Sequence, residues 1–137
     1  MFEVSKVRQD FPLLKKAGES NKPLIYLDNA ATTLKPQSVI DAVTIYYTDY
    51  SVNIHRGDYD LSYQVSDYYE KTRKAVASFI QADVNEVVFT AGASASLNLV
   101  AYGYGEKYIH EGDVILSTES EHASSILPWF RVASQKN

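Results

Sequence analysis

The residues best suited to chemistry stand in a short run of small side chains, Gly92-Ala93-Ser94. The β-branched and aromatic residues before this run predict a strand over 86–90, and the glycine predicts a tight turn. Ser94 is a typical N-cap for the helix that follows. Because the unpaired N–H groups at a helix start bind anions, and phosphate above all, the run predicts a phosphate site. An ordinary strand-to-helix turn with a serine cap is the alternative.

Three other polar groups stand beside predicted strands or in loops. His122 follows the buried strand predicted at 114–117, and ligands bind at the carboxyl ends of parallel strands. His55 and Arg56 lie side by side in a loop, where functional groups concentrate. The small residues Asn29-Ala30-Ala31 follow a short strand and let a backbone approach a ligand. A structural histidine, solvated loop charges and a plain connector are the respective alternatives.

The elements that position these groups alternate between strands and helices. Strands are predicted at 24–27, 86–90 and 114–117, a polar loop at 15–22, and helices at 3–10, at 36–50, at 62–80, from Ser94 through Tyr108 and from a cap at Ser124. Glu70 and Lys74 are predicted to form an i, i+4 ion pair on the outer face of the long helix. This alternation predicts an α/β fold with a parallel sheet.

The composition argues against several classes of protein. The 137 residues are 45% hydrophobic and 22% charged, which is typical of one globular domain and not of a disordered chain. A formal net charge of -4 argues against a nucleic-acid partner. Because there is no cysteine, we expect neither disulfides nor a thiolate metal site. No apolar run approaches the length of a membrane helix and no signal peptide is recognisable, so no membrane partner and a cytoplasmic location are expected.

Four motifs occur in one order along the chain. They are Tyr26-Leu27-Asp28-Asn29-Ala30-Ala31-Thr32, Asn53-Ile54-His55-Arg56-Gly57, Phe89-Thr90-Ala91-Gly92-Ala93-Ser94 with Asn98-Leu99-Val100, and Glu121-His122 ahead of Pro128-Trp129. With them, the sequence resembles the N-terminal third of a class V aminotransferase-fold enzyme, in the cysteine desulfurase and selenocysteine lyase branch. Two positions depart from that pattern: Ala95 stands where the family usually has glutamate, and Ala91 where arginine is common.

The resemblance implies fold type I of the transferases that depend on pyridoxal 5'-phosphate (PLP). Residues 1–23 would form an N-terminal helix and loop. Residues 24–137 would form the N-terminal part of the PLP-binding large domain, an incomplete three-layer α/β arrangement with helices on both faces of the sheet. The implied activity is that of a homodimer that converts L-cysteine into L-alanine and an enzyme persulfide. A sulfur-acceptor protein then carries the sulfur toward iron–sulfur cluster assembly.

The resemblance also implies a role for each candidate residue. Gly92, Ala93 and Ser94 would hold the PLP phosphate. His122 would stack on the pyridine ring and take part in proton transfer. The substrate side of the cleft would be lined by the remaining candidates, Asn29, Ala30, Ala31, His55 and Arg56.

The enzymes of this family are much longer than the present chain. Their covalent PLP lysine, the aspartate on the pyridine nitrogen, the persulfide cysteine and the carboxylate-binding arginine would all lie beyond residue 137. Because PLP chemistry requires that lysine, we expect the 137 residues to be inactive alone, as a fragment, a truncated reading frame or one piece of a split enzyme. Two other functions stay open: a non-catalytic α/β remnant or binding module that uses the anion site, and another class V aminotransferase or lyase.

Overall fold

The computed structural model describes residues 2–19, 22 and 24–136, and this part of the chain is mainly helical. The helices are α1 (Val4–Gln9), α2 (Pro12–Gly18), α3 (Gln37–Asp49), α4 (Asp60–Ile80), α5 (Ala93–Val100), α6 (Glu106–Tyr108) and α7 (Ala123–Lys136), with a 3-10 turn at Val84–Glu86 and a π-helical segment at Ala101–Gly105. The chain divides into two compact units, residues 1–75 and 76–137. Each unit is described by itself.

The N-terminal helix of the first unit is followed at once by a second helix. The helix predicted at 3–10 is confirmed as α1, which packs against α2. Pro12 occupies the first turn of α2, where its missing N–H costs nothing and its fixed φ favours a helix. The loop predicted at 15–22 is therefore wrong for residues 15–18, which are helical. Residues 20 and 21 lie outside the described part of the chain.

The two helices predicted for the centre of the chain are confirmed with small shifts at their ends. Pro36 is the N-cap of α3, with extended backbone, and the helix runs to Asp49. The long helix α4 begins at Asp60, two residues before the predicted start, and ends at Ile80 as predicted. The side chains of Ser62 and Val65 on α4 are buried against the first unit.

Apart from Glu86, the segments predicted as strands are non-helical, but no two of them pair within the described residues. Glu86 belongs to the 3-10 turn, where its side chain accepts a hydrogen bond of 2.7 Å from the Asp83 N–H and completes a capping box. Extended backbone therefore begins at Val87, one residue after the predicted start of the strand over 86–90. In the segment predicted as a strand over 114–117, Val114 is 89% exposed and Leu116 is 94% exposed, so the described chain does not cover these two side chains. The parallel sheet stays a prediction, because a strand is defined by the neighbour it bonds to.

The core of the second unit lies where α5 and its π-helical continuation pack against α7. Ala101 and Val132 are fully buried there. A Cβ on Gly105 would lie 3.1 Å from the Trp129 ring, so a side chain there would crowd this helix contact. In the helix predicted from Ser94 through Tyr108, Val100, Tyr104 and Tyr108 are more than half exposed, so only part of its apolar side faces this core.

Candidate functional site

The turn before α5 has a backbone shape that only glycine adopts readily. Gly92 is the N-cap of the helix, with φ of 158° and ψ of 176°. Residues with a Cβ avoid this region, because the side chain collides with the backbone. The space beside Gly92 is open, with no atom within 4 Å of where a Cβ would stand. The turn therefore directs the helix start toward a free volume.

The start of α5 offers a cluster of unused hydrogen-bond donors. The first N–H bonded back to the turn is that of Ser96, which donates to the Gly92 carbonyl at 3.1 Å. Within the described part of the chain, no acceptor contacts the N–H groups of Ala93, Ser94 and Ala95. The predicted Ser94 cap is wrong: the helix begins at Ala93, and its N-cap Gly92 has no side chain to cap with. The hydroxyl of Ser94 stays available as a further donor, and such a set of donors fits a phosphate group.

Two hydroxyl groups hold this turn closed. Thr90 Oγ1 donates to the Gly92 carbonyl at 3.1 Å and lies 2.7 Å from Ser96 Oγ. Asn98 adds a bond from its side-chain amide to the Ser94 carbonyl at 2.7 Å. These contacts fix the backbone that carries the free donors. They were not predicted, because the sequence does not show that Thr90 and Ser96 meet across the turn.

His122 begins α7 in the manner of an N-cap. Its carbonyl accepts hydrogen bonds from the N–H groups of Ser125 at 2.8 Å and Ile126 at 3.3 Å. Its ring Nδ1 accepts a bond from the Ser124 N–H at 3.2 Å and lies 2.8 Å from the Ser124 hydroxyl. The cap predicted at Ser124 is therefore wrong, since the histidine two residues earlier does the capping. Because Nδ1 is an acceptor here, the neutral ring carries its proton on Nε2.

A groove of about 290 Å³ runs between α5 and α7. Asn98 and Ser124 line it, together with Tyr102 and Arg131. The guanidinium of Arg131 lies 4.5 Å from the centre of the Tyr102 ring. Asn98 contacts Ser94 and Ser124 contacts His122, so both candidate residues are adjacent to the groove although neither lines it.

In the first unit, the loop that carries His55 and Arg56 is fastened to α4 by serines one helical turn apart. The Ser62 hydroxyl, in a residue only 1% exposed, donates to the Asn53 carbonyl at 2.9 Å. The Ser66 hydroxyl accepts a bond from the His55 N–H, also at 2.9 Å. A Cβ on Gly57 would lie 2.4 Å from Ser62 Oγ, so the close approach requires glycine.

The His55 side chain is held by α4 as well. Its Nε2 lies 3.3 Å from Glu70 Oε1, and its ring meets the Tyr69 ring edge-on at 5.7 Å. The ion pair predicted between Glu70 and Lys74 is wrong, since Glu70 pairs with His55 and Arg73. The loop folds back over α4 and reaches Glu70 from the side, which spacing along one helix cannot show. Arg56 is exposed to solvent.

An apolar groove of about 890 Å³ lies beside this loop. Asn53 and Ile54 of the loop line it, with Tyr50 and Tyr68 from the neighbouring helical elements. The two tyrosine rings meet edge-on at 5.1 Å. A hydrogen bond with Tyr68, followed by the nearby Tyr68 charge, raises the pKa of Tyr50 above its ordinary value. None of the predicted site residues lines this groove.

The turn at Asn29, Ala30 and Ala31 is exposed and is closed by its neighbours. The Ala31 N–H donates to the Asp28 carbonyl at 3.2 Å. The Tyr26 hydroxyl lies 3.0 Å from the same carbonyl and 2.6 Å from that of Thr32. Within the described residues, no hydrogen bond or ion pair joins this turn to His55 or Arg56. The first unit thus carries the predicted substrate-side residues, and the second unit carries Gly92–Ser94 and His122.

The sequence matches the aminotransferase class-V family over residues 25–137. The chain belongs to the class V aminotransferase family. The predicted resemblance is therefore confirmed. The family has the PLP-transferase fold and its enzymes depend on PLP.

The curated relatives and the solved structure that this class V protein matches are named as cysteine desulfurases. The chain is 43% identical to a "Probable cysteine desulfurase" of Vibrio cholerae serotype O1, over 98% of this chain and 33% of that protein. It is 44% identical to a "Probable cysteine desulfurase" of Mycolicibacterium paratuberculosis, over 99% of this chain and 20% of that protein. The apo structure of a cysteine desulfurase from Thermococcus onnurineus NA1 matches with a TM-score of 0.85 and 44% identity, over 98% of this chain and 32% of that one. The chain spans a third or less of the length of these relatives.

Within the described residues, none of the helices of this class V protein is long and apolar enough to cross a membrane.

The structure also shows which contacts around the candidate residues sequence reasoning missed. Glu70, Ser62 and Ser66 hold the His55 loop, and Thr90 and Ser96 hold the turn at Gly92. The sequence of α4 does show Ser62 and Ser66 at i and i+4 on one face of the helix. It does not show that their partners, Asn53 and His55, lie in the preceding loop.

Proposed function

We propose that this chain is the part of a PLP-dependent cysteine desulfurase that grips the cofactor phosphate and covers its ring. The complete reaction would convert L-cysteine into L-alanine and an enzyme persulfide, whose sulfur passes to an acceptor protein and on to iron–sulfur cluster assembly. The observation that carries the proposal is the cluster of free donors at the start of α5, in a chain of this family. Relatives named as probable cysteine desulfurases support the choice of reaction.

The proposed architecture is the N-terminal part of a fold type I large domain over residues 24–137, preceded by a helix and loop over 1–23. The three-layer sheet with helices on both faces would be completed by strands that pair with the segments around Leu27, Val88 and Leu116. Their exposure of 88%, 65% and 94% supports this, because apolar extended segments require cover and hydrogen-bonded neighbours. A cytoplasmic homodimer is part of the same proposal.

The phosphate would be bound by the backbone N–H groups of Ala93 and Ser94 and by the Ser94 hydroxyl. The partial positive charge at the helix start adds to these bonds, because a phosphate is dianionic or nearly so at neutral pH. Gly92 contributes by its backbone shape, which leaves the approach to these donors open. Ala95 and Ala91, which replace the family's usual glutamate and arginine, leave these N–H donors in place.

When bound, PLP would withdraw electrons from the substrate carbon that loses or gains a proton. His122 would supply a proton carrier beside it. Its Nδ1 is engaged by the Ser124 N–H, so Nε2 is the ring atom that can give up and take back a proton. Capping α7 with the same side chain fixes the ring plane, which a group that stacks on a cofactor requires.

The substrate side would be formed by Asn29, Ala30, Ala31, His55 and Arg56. The main support is the backbone of the loop at His55, which four contacts with α4 hold in place. Arg56, exposed beside this fixed loop, would add a positive charge on the substrate side, while the family's carboxylate-binding arginine would lie beyond residue 137. The covalent lysine would come from outside these 137 residues.

Replacing Ser94 with alanine should weaken PLP binding by roughly tenfold or more, since a hydrogen bond to a charged group contributes about 1.5–3 kcal/mol. The measurement is a fluorescence titration with PLP. The protein titrated is the PLP-free form of a chimera in which residues 1–137 replace the matching third of the Vibrio cholerae relative. Pyridoxal, which lacks the phosphate, is the matched control, and its affinity should be the same for parent and variant. Equal PLP affinities for the two proteins would remove Ser94 from the phosphate site.

The reaction itself is tested in a chimera in which residues 1–137 replace the matching third of the Vibrio cholerae relative. The chimera should bind PLP and form alanine from L-cysteine in the presence of a reductant that releases the persulfide sulfur. A folded chimera that binds PLP but forms no alanine would contradict the desulfurase proposal and favour another class V reaction. A chimera that binds inorganic phosphate but not PLP would favour a non-catalytic binding module.

A further inference from the structure

Four side chains from the His55 loop and α4 form a connected cluster. Glu70 contacts His55 Nε2 with one carboxylate oxygen and Arg73 Nε with the other, each at 3.3 Å. The Arg73 guanidinium lies 5.1 Å from the centre of the Tyr69 ring, against which the His55 ring also packs. The His55 imidazole is thus held at one nitrogen by a charge and packed edge-on with an aromatic ring.

This contact decides which ring nitrogen of His55 is available. With the carboxylate at Nε2, the neutral ring carries its proton there, and Nδ1 presents a lone pair. Nδ1 has no hydrogen-bond partner in the part of the chain that the structure describes. The side chains of His55 and Glu70 are 49% and 39% exposed, so a ligand can reach the pair.

The backbone at His55 is strained, and the contacts of His55 with Ser66 and Glu70 compensate for the strain. Its φ is 62°, in the left-handed region that non-glycine residues seldom occupy. Such a residue persists only where its surroundings fix it, and strain of this kind concentrates at functional sites. Here Ser66 fixes the His55 N–H while Glu70 fixes the ring.

We propose that Glu70 is a positioning residue for the proposed desulfurase reaction. It orients the His55 imidazole and keeps the proton on Nε2, so that Nδ1 accepts a hydrogen bond from a donor group of the amino-acid substrate, its ammonium or its thiol. The inference rests on the proposed substrate-side role of His55. Arg73 contacts the other oxygen of the Glu70 carboxylate, so the carboxylate stays in place and fixes the orientation of the His55 ring.

The kinetic test compares variants of the chimera described above. Glu70→Ala should lower kcat/KM for L-cysteine by about 10–100-fold, as removal of a group that orients an active-site histidine commonly does. Glu70→Gln keeps an oxygen acceptor for Nε2–H and should recover most of that loss. Asp67→Asn is the matched control, because Asp67 pairs with Lys71 on the same helix without being bonded to the loop. It should behave as the parent does.

A double-mutant cycle separates positioning from general support of the fold. If Glu70 acts through His55, the variant with both residues changed to alanine should be no slower than His55→Ala alone. Additive losses, or a Glu70→Ala variant as active as Asp67→Asn, would overturn the proposal.

A second readout does not depend on activity. Trypsin cleaves after Arg56, next to the fixed histidine, and the cleavage rate reports how often the loop opens. Glu70→Ala should raise this rate at least several-fold relative to cleavage after Lys16, while Glu70→Gln and Asp67→Asn should leave it unchanged. Equal rates in all four proteins would show that Glu70 does not hold the loop. If the parent chimera is inactive, the desulfurase proposal fails, and the cleavage rates still decide whether Glu70 holds His55.

Discussion

Replacement of His122 by alanine is expected to lower turnover of L-cysteine by about 10²–10⁴-fold, the usual contribution of a positioned acid or base. The host is the chimera that carries residues 1–137. PLP binding should be largely retained, because the phosphate donors at the start of α5 are unchanged. The measurement is alanine formation at saturating L-cysteine, together with a PLP titration.

Two further variants separate the proton-carrying role of His122 from its capping role. Loss of the cap should cost about 1 kcal/mol of stability. Asparagine is a good N-cap, so His122→Asn should keep the bond from the Ser124 N–H and restore stability without restoring turnover. His110→Ala changes another exposed histidine, whose own contact is made by its backbone N–H, and should leave turnover unchanged. Turnover near the parent value in His122→Asn would return His122 to a purely structural role.

The 137-residue chain expressed alone is expected to self-associate and to show no desulfurase activity. Leu27 is 88% exposed, Val114 is 89% exposed and Leu116 is 94% exposed. Burial of apolar surface contributes about 25 cal/mol per Å², so several hundred Å² left uncovered corresponds to several kcal/mol. That amount is comparable to the whole stability of a domain. Association with other copies is the route by which the isolated chain can bury these side chains.

Light scattering with size-exclusion chromatography measures the association, and mass spectrometry after borohydride reduction shows whether PLP is attached. PLP should be retained on no single lysine, because the family's covalent lysine would lie outside this chain. A charge-changing pair, Val114→Lys with Leu116→Lys, should reduce association, whereas Glu119→Lys should not. A cooperative monomer that holds PLP on one lysine would falsify both the expected association and the position assigned to the covalent lysine.

Local sequence signals were sufficient for several elements and for the turn that precedes α5. The helical spacing of apolar residues, with Pro36 at the start of α3, predicted the ends of α3 and α4 to within two residues. Such spacing is a local property of the sequence. The run Gly92-Ala93-Ser94 predicted a turn into a helix, and the free N–H donors there follow from helix geometry alone. The order of four motifs led to the family that the comparison confirms.

Other local signals gave the wrong cap or partner. Ser94 and Ser124 both looked like N-caps, but the helices begin one residue before each of them. The residues that precede those helices are Gly92 and His122, and a cap depends on where the helix starts more than on residue type. Propensity alone cannot choose between neighbouring starting positions.

The sequence by itself determined the helices, the glycine turn, the family and the residue types at the proposed site. Only the tertiary structure decided that Glu70 pairs with His55 and not with Lys74, that Ser62 and Ser66 fasten the loop, and that His122 accepts the Ser124 N–H through Nδ1. The physical reason is the range of the contacts. Periodicity and propensity report on neighbours within a turn or two, whereas the loop that folds back on α4 finds its partners nine to fifteen residues away by shape. The His122 contact is local, but it depends on where α7 starts, which propensity does not fix.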